Sequence, residues 1–204
     1  MNCNKILKKS SMQYLLFKGI LCDNEVLLKK INHRLTLLIS KHDLSNKKMA
    51  VHMKKAILPS IAVYMEMIEF GYSREESLRY IKDSAIIANK SMADFFKTIG
   101  KLPFGYSLFR KLCPLAIKNS FCEPGWKMKW IKNNKDTIEF HAKKCLYFDI
   151  MKEEGCVELV PIFCQIDDYV YGNMDNVIWD RKKTLGNGDE LCDFRFLSNH
   201  KNSL

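Results

Sequence analysis

EPGWKMKWIKNNKDTIEFHAK, residues 123–143, decides the fold. Before it, apolar residues recur at three-to-four spacing; from Trp126 onward they alternate. Trp126, Met128 and Trp130 are interleaved with lysines, and Ile138, Phe140 and Ala142 with Glu139, His141 and Lys143. That is a change from a helical period of about 3.6 to a strand period of about 2. The polar stretch Asn133-Asn-Lys-Asp136 separates the two alternating runs, so they read as a β-hairpin.

Upstream of Gly125 the pattern predicts helices. From Asp23 to about His42, Val26, Leu27, Ile31, Leu35 and Leu38 form one apolar stripe. A second helix is expected from about Lys48 to Phe70, with Pro59 marking a kink or a helix start and Gly71 a stop. Ser73-Arg-Glu-Glu76 has the capping-box pattern and opens a third helix running to about Lys97. A fourth is expected over 105–119, its end blurred by Pro114. Downstream, 145–154 and 158–171 read as helices broken at Gly155. Residues 176–184 and 191–197 read as a second strand pair around Gly186-Asn-Gly-Asp189. The expected fold is α+β, a helical N-terminal layer followed by an antiparallel sheet with two helices. Residues 1–22 form an N-terminal extension, 23–197 a single domain (helical over 23–118, sheet over 126–197), and 198–204 a flexible tail.

Composition narrows the function. A hydrophobic share of 47% and a charged share of 27% fit an ordinary globular domain with a core. The net charge of +10 comes from scattered lysines rather than a dense block, and no nucleic-acid reader motif accompanies them. Scattered lysine reads as a solvated surface or as a bias of the source genome. No segment approaches the roughly eighteen apolar residues of a membrane span. The basic N-terminal stretch is interrupted at Lys18 and does not read as a secretory signal. The eight cysteines are therefore expected to be reduced thiols in a cytoplasmic protein. The absence of a CxxC pair argues against a structural zinc site, and neither a metal nor a cofactor is expected.

The last sixty residues concentrate the chemistry. Cys164 and Asp168 are four apart on an expected helix and share a face, with Asp167 turned to one side. Cys145 and Asp149 repeat the spacing. On the last strand Cys192, Phe194 and Phe196 share one face, Asp193 and Arg195 the other. Alternation puts Arg181 with Val177 and Trp179, where a guanidinium in an apolar setting binds a carboxylate in two-pronged fashion. Each residue also has a plain reading: cysteine as a small core hydrophobe, Asp193 and Arg195 as a surface ion pair, Arg181 as a stem on Trp179 with its head in water, His141 as a structural strand histidine. Taken together, His141 beside Cys, Asp and Arg is equipped for proton transfer near neutral pH.

HxxxC (141–145), GCVELVPIFCQIDD (155–168), the Arg181-to-Thr184 segment and GNGDELCDFRF (186–196) together resemble the L-2-amino-thiazoline-4-carboxylic acid hydrolase family. The likeness is densest over 137–197 and extends to HMKKAILPSIAVYMEMIEFGYSREESLRYI (52–81). It implies that water opens a 2-aminothiazoline ring to give an N-carbamoyl cysteine. A base would deprotonate the water, an acid would protonate the departing sulfur or nitrogen, and a cation would hold the substrate carboxylate. The motif positions implied are Cys164, Asp168, Cys192, Asp193 and Arg195, with Glu158, Cys145, His141 and Arg181 in support and Asp167 among the substrate contacts. Attack by water and a covalent path through Cys164 both stay open. The Gly-Asp-x-x-Cys-Asp-Phe element is also similar to a small-molecule-binding domain related to vinyl reductases, which implies a non-catalytic binder or sensor instead. The expected partner is a small-molecule substrate, with no nucleic acid and no membrane; homo-oligomerisation is left open.

Overall fold

In the computed structural model, residues 3–17, 20–21 and 23–199 are described. The tail from His200 onward and parts of the first twenty-two residues lie outside them. The chain divides into two compact units, Met1–Asn89 with Ile150–Phe163, and Lys90–Asp149 with Cys164–Leu204.

The first unit is helical. Short helices α1 (Cys3–Leu7) and α2 (Gln13–Phe17) precede α3 (Glu25–Lys41), whose first turn is capped by the Asn24 side chain accepting from the Leu27 N–H at 3.0 Å. The predicted stripe holds at Leu27, Ile31, Leu35 and Leu38, all buried, whereas Val26 faces outward at 59% exposure. Leu7, Met12, Leu15 and Leu21 are also buried, so residues of the expected extension help build this core. The Ser11 N–H donates to the Lys55 carbonyl and the Ser84 hydroxyl to the Ser11 carbonyl, which ties that segment down.

The single helix expected over 48–70 is three joined pieces: α4 (Lys47–His52), a π-helical turn Met53–Ile57, and α5 (Leu58–Glu69). Pro59 sits in the first turn of α5, where a missing N–H costs least. Gly71 follows with φ +105°, a conformation that a side chain would strain. The capping box forms as read: the Ser73 N–H donates to Glu76 and the Glu76 N–H to the Ser73 hydroxyl, opening α6 (Arg74–Lys101).

In the second unit α7 (Gly105–Ser120) continues straight through Pro114. Strands β1 (Met128–Asn133) and β2 (Thr137–Ala142) form the expected hairpin, its turn held by the Asn134 side chain accepting from the Asp136 and Thr137 N–H groups. Helix α8 (Leu146–Glu153), a 3-10 turn (Val157–Leu159) and α9 (Val160–Tyr171) lead to β3 (Val177–Asp180) and β4 (Cys192–Ser198). The sheet order is β1-β2-β4-β3 and every pairing is antiparallel. The fold is thus α+β, with helices first and an antiparallel sheet after.

Alternation sorts the sheet residues by face. Ile138, Phe140, Val177 and Phe196 are buried on one face with Ile99, Tyr106 and Phe109, and Tyr171, Trp179 and Phe194 pack against them. Phe140 stacks on Phe194 with 5.0 Å between centroids. Glu139, His141, Asp193 and Arg195 belong to the opposite face, where Glu139 pairs with Arg195 and His141 with Asp193 in register.

Candidate active site

The site is assembled from α9 from Cys164 onward, the residue after β3 and the loop before β4, all in the second unit. Strand β3 ends at Asp180, four residues before the expected limit, so Arg181 is the first residue beyond the ladder rather than a strand residue. Trp179 is fixed by Tyr171 and Phe196 at 5.4 and 4.8 Å between centroids. From that anchor the Arg181 side chain turns onto α9. Its guanidinium donates to Asp167 at 3.0 Å, to Asp168 at 2.8 Å and to the Cys164 carbonyl at 2.8 Å. These three are at i, i+3 and i+4, neighbours on one helix face.

Arg181 is 4% exposed and lies 5.3 Å from the Trp179 ring centroid and 5.9 Å from that of Phe194. The reading that leaves its head in water is therefore corrected: aromatic walls cover the cation and two carboxylates neutralise it. Asp168 also accepts from the Trp179 indole N–H at 2.9 Å. Burial pushes the Asp167 carboxyl up to about 7; Arg181 opposes that shift and the neighbouring Asp168 charge adds to it. More than a third of the Asp167 side chain, 37%, stays exposed, which tempers the rise without reversing it.

Three thiols surround this pair of carboxylates. The Cys164 thiol follows the same helix face as Asp167 and Asp168, and its carbonyl is the one held by Arg181. The Cys192 sulfur, at the start of β4, accepts from the Leu185 N–H at 3.3 Å. Cys145 stands just before α8 rather than within it, and its carbonyl accepts from the Asp149 N–H at 3.0 Å in the helix's first turn. The thiols lie close enough for Cys145 and Cys164 to act electrostatically on one another and on Cys192. Burial is the leading cause at all three and raises Cys145 to about 11 and Cys192 to about 12; Cys164 is also raised. Each therefore carries its proton at neutral pH. Cys113, Cys122, Cys145, Cys156, Cys164 and Cys192 form no disulfide.

Other residues singled out from the sequence are placed elsewhere. Asp193 points from the opposite sheet face and accepts from the Lys182 and Lys183 N–H groups at 3.0 and 2.6 Å, so it clamps the loop. The surface pair expected between Asp193 and Arg195 is not the one formed: Arg195 meets Asp180 at 2.9 Å, while its Nε is buried without a hydrogen-bond partner. His141 bonds to Glu139 at 3.0 Å on the Asp193 side of the sheet. Glu158 belongs to the first unit, where the Tyr64 hydroxyl donates to it at 2.6 Å. Within the second unit the expected cluster thus separates into Cys164, Asp167, Asp168, Arg181, Cys192 and Cys145, and, on the opposite sheet face, His141, Asp193 and Arg195. Two surface cavities, one beside Arg34, Lys41 and Glu154 and one beside Pro114, Trp130 and Ile131, include none of these residues.

Sequence reading passed over Thr184 and Asp189 as builders of the loop before β4, where the Thr184 N–H donates to Asp189 at 2.8 Å and the Thr184 hydroxyl oxygen accepts from the Asn187 N–H at 3.1 Å. Their signal is local: Thr184 followed three residues later by Asn187, then Gly188, is the pattern of a capped turn ending in a left-handed residue. Gly188 has φ +89°.

Among the described residues no helix is long and apolar enough to cross a membrane. No curated protein and no solved structure matches the chain. The family model of L-2-amino-thiazoline-4-carboxylic acid hydrolase matches residues 50–196, a stretch that contains α9, Arg181 and the Thr184–Asp193 loop. Since that match covers well over half of the chain, the protein belongs to the L-2-amino-thiazoline-4-carboxylic acid hydrolase family.

Proposed function

We propose that the protein hydrolyses L-2-amino-thiazoline-4-carboxylate, or a closely related small cyclic substrate, to the N-carbamoyl amino thiol. The observation that carries the reading is the Arg181-centred cluster, in which a buried cation binds two carboxylates and the backbone carbonyl of Cys164 on one face of α9. Carbon 2 of the ring is amidine-like and becomes electrophilic once its ring nitrogen is protonated. Asp167, lifted toward neutral pH, is suited to give that proton. Asp168, with 49% of its side chain exposed, reaches water and takes a proton from it as the oxygen adds to carbon 2.

The carbon–sulfur bond then breaks with its electron pair going to sulfur, and Cys164 supplies the proton that sulfur needs. A thiol donor matches an alkylthiolate leaving group in basicity, which is where proton transfer is most effective. The adduct's hydroxyl proton returns to Asp167, and the Asp168 proton restores Cys164. Water thus contributes the carbonyl oxygen and two protons, one on nitrogen and one on sulfur. Water attack is favoured over a covalent Cys164 path because the half-buried resting thiol is held in its protonated form by desolvation.

On this reading the substrate carboxylate is not held by Arg181 alone, since two aspartates already engage that guanidinium. A reducing compartment such as the cytoplasm suits a site built on free thiols. The rival reading, a small-molecule binder, needs the apolar surroundings but no acid. Asp168→Asn separates the two: the enzyme loses turnover by 10²–10⁴-fold while substrate binding persists, whereas a binder shows no turnover in either form.

A further inference from the structure

We infer that Trp179 is a positioning residue for Asp168: its indole N–H and the Arg181 guanidinium together fill one carboxylate oxygen, Oδ1, and leave Oδ2 as the oxygen that meets water. The inference deepens the proposed function, in which Asp168 is the base, and its geometry is tested apart from turnover.

Both donors reach the same atom. The Trp179 Nε1–H donates to Asp168 Oδ1 at 2.9 Å, and Arg181 Nη2 donates to that oxygen at 2.8 Å. Neither bond reaches Oδ2, and 49% of the side chain is exposed. A carboxylate oxygen has two lone pairs, and on Oδ1 both are engaged. Oδ1 can therefore take a proton only by giving up one of its bonds. Oδ2 takes one with both bonds kept, because a protonated carboxyl still accepts through its other oxygen. Proton transfer from the attacking water thus runs to one defined atom in one defined plane.

Trp179 suits this task because its ring is fixed and its nitrogen has no second role. The indole N–H is a donor only. The ring is packed by Tyr171 of α9 at 5.4 Å and by Phe196 and Phe194 of β4 at 4.8 and 6.0 Å between centroids. Arg181 alone would set the carboxylate less firmly, since it also serves Asp167 and the Cys164 carbonyl. The carboxylate torsion of aspartate is intrinsically broad, so one bond leaves the group free to turn.

The test pairs NMR with kinetics on the full chain. In protein labelled with ¹⁵N-tryptophan, the Trp179 indole signal is identified by its loss in Trp179→Phe. Asp168→Ala should move that signal upfield and speed its hydrogen exchange, with the Trp126 and Trp130 indole signals unchanged. For the kinetics, 3-benzothienylalanine at position 179 puts sulfur in place of the N–H and keeps the ring's shape. It should lower kcat about tenfold with KM held, less than the 10²–10⁴-fold of losing the base itself. Trp179→Phe should do the same. A Trp179 indole signal that ignores Asp168→Ala, or a benzothienyl protein with wild-type kcat, overturns the inference. So does a joint movement of all three indole signals, or a rise in KM matching the fall in kcat, because either would mark a general loosening of the packing. A protein that never opens the thiazoline counts against the proposed reaction, and the indole signal then decides the positioning by itself.

Discussion

Arg181→Met is the substitution that probes the site's construction most deeply. The side chain is 4% exposed and donates to three acceptors, but these are not equivalent. Asp168 is half exposed and keeps the Trp179 indole N–H, so losing Arg181 costs it little, on the order of 0–1 kcal/mol. The Cys164 carbonyl loses a charged donor, about 1.5–3 kcal/mol. Asp167 loses its counter-charge, and the stacking over Trp179 and Phe194 is only partly replaced by the methionine stem. Together these predict a loss of about 3 kcal/mol, at the low end of what breaking a buried ion pair costs.

The loss should depend on pH with a definite sign. Asp167 already has a folded pKa above its ordinary 3.8, so its contribution to stability is fully present below that value and is lost as pH rises through about 7. Removing Arg181 takes away the influence that lowers this pKa, so the variant should lose stability more steeply with rising pH. Urea unfolding followed by tryptophan fluorescence at pH 5 and pH 8 measures it, with Asp167→Asn in the same background relieving part of the pH 8 deficit. A loss below 1 kcal/mol at pH 8, or strict additivity between the two substitutions, would refute the pairing.

Three more outcomes follow from the same geometry. Turnover should fall as pH rises through about 7, because Asp167 must carry its proton, and Asp167→Asn should abolish that limb in a pH–rate profile. Asp193→Ala frees two backbone N–H groups of the loop and should cost about 1–3 kcal/mol in an unfolding titration while leaving the shape of the pH–rate profile unchanged; a lost limb would make Asp193 catalytic after all. Thiol titration of denatured, unreduced protein should count close to all eight cysteines, and a count of six or fewer would mean native disulfides.

Much of the fold was legible because it rests on local rules. The Ser73–Glu76 capping box, the hairpin around Asn133–Asp136 and the change of period at Gly125 each depend on residues adjacent in sequence. The π-helical turn at Met53–Ile57 was not legible, since a one-residue widening leaves no mark on an apolar stripe that stays continuous. At the site, Cys164, Asp167, Asp168 and Arg181 could be picked out because carboxylates and a guanidinium among apolar residues require partners. Alternation puts Arg181 on the side of Trp179, and that is where it lies, against Trp179 and Phe194; which acceptors it takes there depends on α9 packing over that face, which no local pattern encodes. Alternation puts Asp193 on the face opposite Cys192, as found; what no local pattern supplies is that β2 pairs with β4 in the register that sets His141 beside Asp193.

The central claim is that Asp167, Asp168 and Cys164 around Arg181 open a sulfur-bearing ring. Purified protein incubated with L-2-amino-thiazoline-4-carboxylate, with product followed by mass spectrometry in ¹⁸O-labelled water, tests it directly. The account predicts N-carbamoyl cysteine carrying one labelled oxygen, formed by the wild type and reduced by 10²–10⁴-fold in Asp168→Asn. Saturable binding of the thiazoline with no ring-opened product, or equal turnover in Asp168→Asn, would contradict it.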